Sequence, residues 1–277
     1  MKGKTCVITG ANNGIGLETA KALAQKGARI VMVARNQERG EAAKQVIQSL
    51  ATATVELLIA DLSVVSETRD LVQSINDVCD RVDVLVNNAG VAYASRTVTA
   101  EGNDATFAVN VLAPFILSLG LGPQLERSAP ARIVNVSSPA HKAGKIDIGN
   151  LQLENGYSRM RAYANSKLGL NLVTFELSRR LEGTGVTCNA VDPGFVNTRP
   201  SYATIGEIVV GTLMSPFGKS PEKGALPSVH AASAPELETV SGRYIDAKLR
   251  HIEASPVSYD KDLAVRLWDE LERIVNR

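Results

Sequence analysis

Short runs dense in Val and Ile alternate with amphipathic stretches along almost the whole chain. The apolar runs fall at 5–9, 29–34, 55–59, 82–86, 132–136 and 186–191. Each is near-continuous, the pattern of a parallel strand buried on both faces. Between them, segments 16–26, 37–50, 66–79, 107–119 and 163–181 place apolar residues at helical spacing. Strand then helix, repeated, predicts right-handed βαβ units, hence a mostly parallel sheet with helices on both faces. A seventh strand is expected at 242–245. A closing helix is expected at about 259–275, with Leu263, Leu267, Leu271 and Ile274 on one stripe. Pro227 interrupts a helical run at 221–232 and is expected to kink or restart it. No Ser/Gly/Pro-rich linker, charge block or internal repeat divides the chain. Residues 1–277 therefore read as a single doubly wound α/β domain.

At the end of the first strand, Thr9-Gly10-Ala11-Asn12-Asn13-Gly14-Ile15-Gly16 opens the first helix. Glycines there let the backbone turn tightly and approach a diphosphate. The helix N-terminus offers unpaired N–H groups and a positive dipole end. The spacing is G-x-x-x-G-x-G, and an ordinary tight strand-to-helix turn would look the same. A dinucleotide reading makes the sheet Rossmann-type and directs attention to the end of the second strand, Ala34-Arg35. An acid there accepts from a ribose 2′-hydroxyl and repels a 2′-phosphate, whereas Arg35 can grip a 2′-phosphate through two parallel donors. NADP(H) is expected ahead of NAD(H), with Arg39 a second phosphate contact. The alternative is that Arg35 is a solvated surface arginine. Asp61 and Leu62 follow the third strand, where Asp61 could accept from the adenine amino group or cap a turn. After the fourth strand, Asn88, Ala89 and Gly90 are small enough for a cofactor to lie on the backbone, and Asn side chains can pin loops. Asn and Gly are also ordinary turn formers.

Tyr163-Ala164-Asn165-Ser166-Lys167 sets a phenol and an ammonium one helical turn apart. A phenol of reference pKa about 10 is a poor acid/base at neutral pH, and a nearby ammonium favours the phenolate. Upstream, a strand-like run ends in Ser137-Ser138, either of which could hold a substrate oxygen. Tyr157 has Arg161 at the same spacing, but the site needs a compact point charge and not a planar fork.

Composition narrows the partners. A formal charge of +1 gives no dedicated nucleic-acid surface. Cys6, Cys79 and Cys188 are scattered, as are His141, His230 and His251. They suggest reduced thiols in a cytoplasmic protein and no metal site. No signal peptide or apolar run long enough to span a membrane is seen, so no membrane span is expected.

These motifs, in this order, resemble the short-chain dehydrogenase/reductase family in its compact single-domain branch. TGANNGIG at 9–16, NNAG at 87–90, Asn110 in AVNVLAPF, NVSS at 135–138, YANSK at 163–167 and DPGFVNT at 192–198 carry the resemblance, which covers almost the whole chain. The segments HKAGKIDIGNLQLENGYSRMRAY and SGRYI look most like the retinol-dehydrogenase-like subgroup. The resemblance implies a tetrad of Asn110, Ser138, Tyr163 and Lys167, and its pattern favours Ser138 over Ser137. Tyr163 would be the general acid/base. Lys167 would supply charge and reach the nicotinamide ribose. Ser138 would hold the substrate oxygen. Asn110 would bend its helix and hold a water in a proton relay. Tyr163 and Lys167 would thus also touch the cofactor, and Pro193, Gly194, Val196 and Thr198 would lie against the carboxamide.

A substrate lid is expected at about 199–219, rich in apolar residues, with Gly206, Gly211 and Gly218 as hinges. The lid suggests an apolar or bulky small-molecule substrate, although the same residues would suit a dimer surface or core. The pocket mouth is extended by 140–161. The subgroup often carries an N-terminal membrane anchor; none is expected here, which speaks against a membrane-embedded retinoid. Pairing through the helices at 107–119 and 163–181 as a homodimer or homotetramer is the family habit. The expected activity is NADP(H)-dependent interconversion of a carbonyl and an alcohol. The rival is a non-catalytic NAD(P)-sensing protein of the same fold, which would lack the tyrosine or the lysine. Dehydratase or epimerase chemistry would suit a longer chain.

Overall fold

A computed structural model describes residues 1–196, 207–208 and 218–277. Its main sheet contains β1 (Thr5–Thr9), β2 (Arg29–Ala34), β3 (Val55–Ile59), β4 (Val84–Asn87), β5 (Ala131–Val136), β6 (Val186–Val191), β7 (Tyr244–Ile245) and β8 (His251–Ile252). The strand order is β8-β7-β6-β5-β4-β1-β2-β3. All pairs are parallel except β7 with β8. The chain moves outward from β1 through β2 to β3, then returns across β1 to β4. The turns after β1 and β4 therefore diverge beside each other, the place where open α/β sheets leave a crevice.

The strands are continuously apolar because successive side chains feed two cores. Cys6, Ile8, Ile30, Met32, Val84 and Val86 face one layer, with Ala20 and Leu23 of α1 (Gly14–Gln25) and Ala43 and Ile47 of α2 (Gln37–Leu50). Ala231 and Ala232 of α7 (Pro221–Ser233) complete that layer. Val7, Val31, Val33, Leu85 and Ile133 face the other layer. There they meet α3 (Val65–Val78), α4 (Ala105–Phe107, Ala108–Leu112 and Ala113–Gly120 in succession), α6 (Arg159–Arg180) and α8 (Lys261–Val275). The short α5 (Gly122–Arg127) leads into β5. Within the described residues, no helix is long and apolar enough to cross a membrane. Cys6, Cys79 and Cys188 are free and buried.

Three features depart from the sequence pattern. The seven expected strands form, but β8 adds an eighth. It is only two residues long and carries no apolar run. A polar turn creates it: Asp246 accepts from the Lys248 and Arg250 amides, both at 2.9 Å. Helix α7 continues through Pro227 without restarting, since Gly224, Ala225, Pro227, Ser228 and Ala231 are buried on its inward face. The closing helix starts later than 259, because Asp260 caps it by accepting from Leu263 N at 2.9 Å. Of the expected lid at 199–219, only 207–208, 218 and 219 are described. The backbone of Glu207–Ile208 pairs antiparallel with Ala92–Tyr93. Gly206 and Gly211 lie outside the described residues.

Helix α8 buries the expected stripe and adds Trp268, which meets Phe115 edge-on at 4.8 Å between ring centroids. The Arg180 guanidinium stacks 4.1 Å from the Trp268 ring centre. Leu267 is fully buried. Leu267→Ala is expected to lower unfolding stability by about 2–5 kcal/mol in urea titration. A loss below about 1 kcal/mol would show that α8 stands outside the cooperative core.

Candidate active site

The glycine turn is shaped by a collision that only glycine avoids. A Cβ on Gly16 would overlap Gly10 O and Asn88 Nδ2. Gly10 adopts φ +64°, and a Cβ there would meet Ala89 Cα at 3.1 Å. The turn after β4 is fastened to the turn after β1. Asn88 Nδ2 donates to Thr9 O at 2.8 Å, and Thr9 Oγ1 accepts from the amides of Asn88 and Ala89 at 3.0 Å each. Asn13 caps α1 by accepting from Gly14 N at 2.8 Å. Thr9 is the residue the motif reading passed over. Its place as the strand's last residue makes its hydroxyl available to the neighbouring turn.

A cleft runs over these turns. Gly10, Asn12, Asn13, Gly14, Ile15, Gly16, Arg35, Asp61, Leu62, Asn88, Ala89, Gly90, Tyr163, Lys167 and Pro193 all line it, as sequence reasoning grouped them. At one end, Arg35 Nη1 stands 3.9 Å from Asp61 Oδ2, and both side chains are partly exposed. Asp61 also closes its own turn, accepting from Ser63 N at 2.9 Å and Ser63 Oγ at 2.7 Å. Both readings of Asp61, cleft residue and turn cap, thus describe it. Arg39 is not among the lining residues.

The other end holds the phenol and the ammonium. Lys167 Nζ donates to Val136 O at 2.8 Å and lies 5.7 Å from the centre of the Tyr163 ring. A Cβ on Gly90 would be 3.3 Å from that Nζ and 3.6 Å from Asn110 Oδ1, so the two ends share one wall. Asn110 sits inside the π-helical turn Ala108–Leu112 of α4. Its amide exchanges two 2.9 Å bonds with Val91 N and O, and it donates to Ser166 Oγ at 2.8 Å. It therefore rivets the post-β4 loop to α6 and does not itself line the cleft. Ser137 and Ser138 separate by contact. Ser137 Oγ donates to Asn171 Oδ1 at 2.7 Å, while the Ser138 side chain acts on the Tyr163 hydroxyl, favouring its charged form. Ser138 also caps the 3-10 turn Pro139–Ala143, accepting from Ala140 N at 3.2 Å.

The electrostatics differ from the expectation raised by spacing alone. Burial pushes the Tyr163 hydroxyl up to about 12; the Ser138 hydrogen bond works against that rise and the Asp192 charge adds to it. Burial lowers Lys167 to about 8. Desolvation thus dominates in setting the phenol. Helical spacing carries no information about burial depth, which is why it suggested the opposite sign.

The loop after β6 contributes Pro193 to the cleft. Gly194, at φ +73°, turns to donate its N–H to Asp192 Oδ1 at 2.7 Å. Val196 is buried, bridges to Lys219 and packs toward Gly224. Gly194, Val196, Asn110 and Ser138 are not among the lining residues. Thr198 lies outside the described residues. Val91, Tyr93, Val109 and Val136 line the cleft without having been singled out for it, and Ser137, the serine set aside in favour of Ser138, lines it too. The first three follow the post-β4 turn or lie on α4, and only the folded chain brings them to Tyr163.

The residues fit a bound dinucleotide. Glycines clear its path, the start of α1 offers amide donors, and a cation stands at the adenosine end. The sequence pattern of the family described as short chain dehydrogenase matches residues 4–204. Retinol dehydrogenase 13 of Homo sapiens is 40% identical over 281 residues, covering 99% of this chain and 85% of that protein. The solved structure of an uncharacterised protein from Mycobacterium paratuberculosis has a TM-score of 0.82 at 30% identity, covering 99% of this chain and 94% of that one. A short chain dehydrogenase from Burkholderia cenocepacia, solved in complex with NADP, has a TM-score of 0.71 at 26% identity over 88% of this chain and 96% of its own.

Buried Lys167 has a pH signature in stability. Its ammonium pKa is lowered on folding, so the unfolded chain holds more protons between about pH 8 and the model-peptide value. Stability should rise with pH through that window, by roughly 3 kcal/mol from this group. Lys167→Met is expected to lack that rise in urea titrations at pH 7.5 to 10.5. The same slope in both proteins would contradict the buried-ammonium geometry.

Proposed function

Because this chain belongs to the short-chain dehydrogenase family, and within it to the retinol-dehydrogenase-like group, we propose that it interconverts a carbonyl and an alcohol using NADP(H), with Tyr163 as general acid/base. The observation that carries the proposal is the shared wall at Gly90, which joins the glycine-lined half of the cleft to Lys167 and Tyr163. When bound, the nicotinamide supplies or accepts the hydride.

This chain's residues do the rest. Gly10, Gly14 and Gly16 keep the diphosphate path clear, and the amides at the start of α1 face its charge. Arg35 would grip a 2′-phosphate, with Asp61 orienting the guanidinium. In reduction, the Tyr163 hydroxyl gives its proton to the carbonyl oxygen as charge develops there. Ser138 donates a second hydrogen bond to the same oxygen. A phenol pushed up to about 12 is protonated at neutral pH, which suits this direction. In oxidation, the phenol must first lose its proton, a step that the Lys167 ammonium favours. Asn110 keeps Val91 and α6 in register, and Lys167 Nζ stays anchored on Val136 O.

Val91, Tyr93, Val109 and Val136 give the cleft apolar walls. An apolar alcohol or aldehyde is the substrate class this supports, and relatives named retinol dehydrogenases point the same way.

Tyr163→Phe is expected to lower kcat for a bulky apolar aldehyde by about 10²–10⁴-fold. NADPH affinity, read by fluorescence, should stay nearly unchanged. Full turnover in that variant would refute the role of the phenol. Arg35→Ala is expected to weaken NADPH about tenfold or more while barely affecting NADH. Equal losses for both nucleotides would remove the basis for preferring NADP(H).

A further inference from the structure

Tyr157, whose i+4 neighbour is Arg161, has no part in the reaction described above, yet its hydroxyl is committed. Tyr157 Oη donates to Tyr93 O at 2.9 Å. Tyr93 is 6% exposed and lines the cleft with Val91 and Val109. Its own amide reaches Thr106 Oγ1 only at 3.5 Å, so the bond from Tyr157 is the shorter hold. Other bonds fix the turn that presents Tyr157. Gly156 adopts φ +73°, and Arg161 Nη1 donates to its carbonyl at 3.0 Å. Ser158 caps α6 by accepting from Arg161 N at 3.3 Å. Tyr157 thus stands just before the helix that carries Tyr163, and its hydroxyl ties the start of that helix to the loop after β4.

A second set of bonds holds the same segment. Gln152 O accepts from Arg96 Nε at 2.9 Å, Gln152 Oε1 accepts from Asp104 N at 2.6 Å, and Gln152 Nε2 donates to Asn103 Oδ1 at 3.2 Å. Asn150 closes the loop between them, its Nδ2 donating to Asn155 O at 3.0 Å. Leu153 is 3% exposed at φ +46°, a conformation that a bulky residue keeps only where its surroundings fix it. The segment is therefore a strut fastened at both ends. Resting on the proposed reaction, we propose that Tyr157 is a positioning residue that determines substrate specificity: its hydroxyl, on the Tyr93 carbonyl, holds the Val91–Tyr93 wall in place, so that the cleft favours a long or bulky apolar substrate over a small one. Tyr157 acts through Tyr93 and not through contact with substrate. A small aldehyde needs only the reacting end of the cleft, whereas a larger one must also bury its chain on Val91, Tyr93 and Val109. Binding gained from that burial grows with apolar area. A wall that has to be ordered when the substrate arrives gives part of it back.

The test separates chain length from chemistry. Reduction of octanal and of propanal is measured at saturating NADPH in the wild type, Tyr157→Phe and Gln152→Leu. Tyr157→Phe removes only the hydroxyl. In it, KM for octanal is expected to rise about three- to tenfold, while kcat, KM for propanal and NADPH affinity stay nearly unchanged. Gln152→Leu weakens the other end of the strut and should move octanal against propanal in the same direction. An octanal KM unmoved in both variants would overturn the proposal. Equal losses for both aldehydes, the mark of a merely structural role, would also overturn it. Calorimetry of octan-1-ol binding to the NADPH-saturated protein gives a readout without turnover. There the dissociation constant should rise by the same factor in Tyr157→Phe. An unmoved constant, or no binding in the wild type, would overturn the proposal. Octanol binding that weakens as expected, with neither aldehyde turned over by the wild type, would refute the proposed reaction and leave the role of Tyr157 supported.

Discussion

Everything at this site depends on how closely the turns after β1 and β4 approach each other. Asn88 reaches across to the Thr9 carbonyl, Thr9 Oγ1 takes two amides in return, and Gly16 has no room for a methyl group between Gly10 and Asn88. The strand order forces this meeting, because the chain leaves β3 at one edge and re-enters beside β1. A wider separation would leave buried amides unpaired, which costs more than the hydrogen bonds gain. The clamp thus fixes the floor of the cleft, and the next residue along, Gly90, passes against Lys167 and Asn110. One contact surface joins the glycine-lined turns to the phenol and the ammonium.

The second half of the site is governed by desolvation. Tyr163 and Lys167 are both buried, and burial moves them apart in acidity, the phenol up to about 12 and the ammonium down to about 8. Groups poised this way respond strongly to any further charge brought beside them, because little water screens it. Asn110 and Ser166 keep the pair in register, with the Asn110 amide on the π-helical turn bonded to Val91. In the proposed reaction Ser138 shares the substrate oxygen with the phenol, and His141 fastens the Ser138 carbonyl from behind.

Much of this was legible in the chain. Six apolar runs marked six strands because each strand feeds two cores, and α2 forms over the very residues whose spacing suggested it. The glycine turn and the Tyr163–Lys167 pair were visible because their constraints are local: a positive φ, a close approach and one helical turn. Other features were hidden for physical reasons. Helix α6 begins four residues before Tyr163, capped by Ser158, but its first turn is mostly exposed and polar and offers no apolar stripe. Strand β4 starts at Val84 although Val82 is equally apolar, because Asp83 is tied to Lys4, Thr5 and Arg81. Tyr244 donates to Asp192 across 52 positions, a contact that the pairing of β6 with β7 creates. The sign of the Tyr163 shift was missed because spacing reports neighbours and not depth.

A crystal structure grown with NADPH tests most directly whether the two halves form one site. The diphosphate is expected against the amides of Gly14, Ile15 and Gly16, the 2′-phosphate beside Arg35, and the nicotinamide next to Tyr163 and Lys167. A nucleotide bound outside this cleft, or lying in it with the nicotinamide toward Arg35, would contradict the site described here.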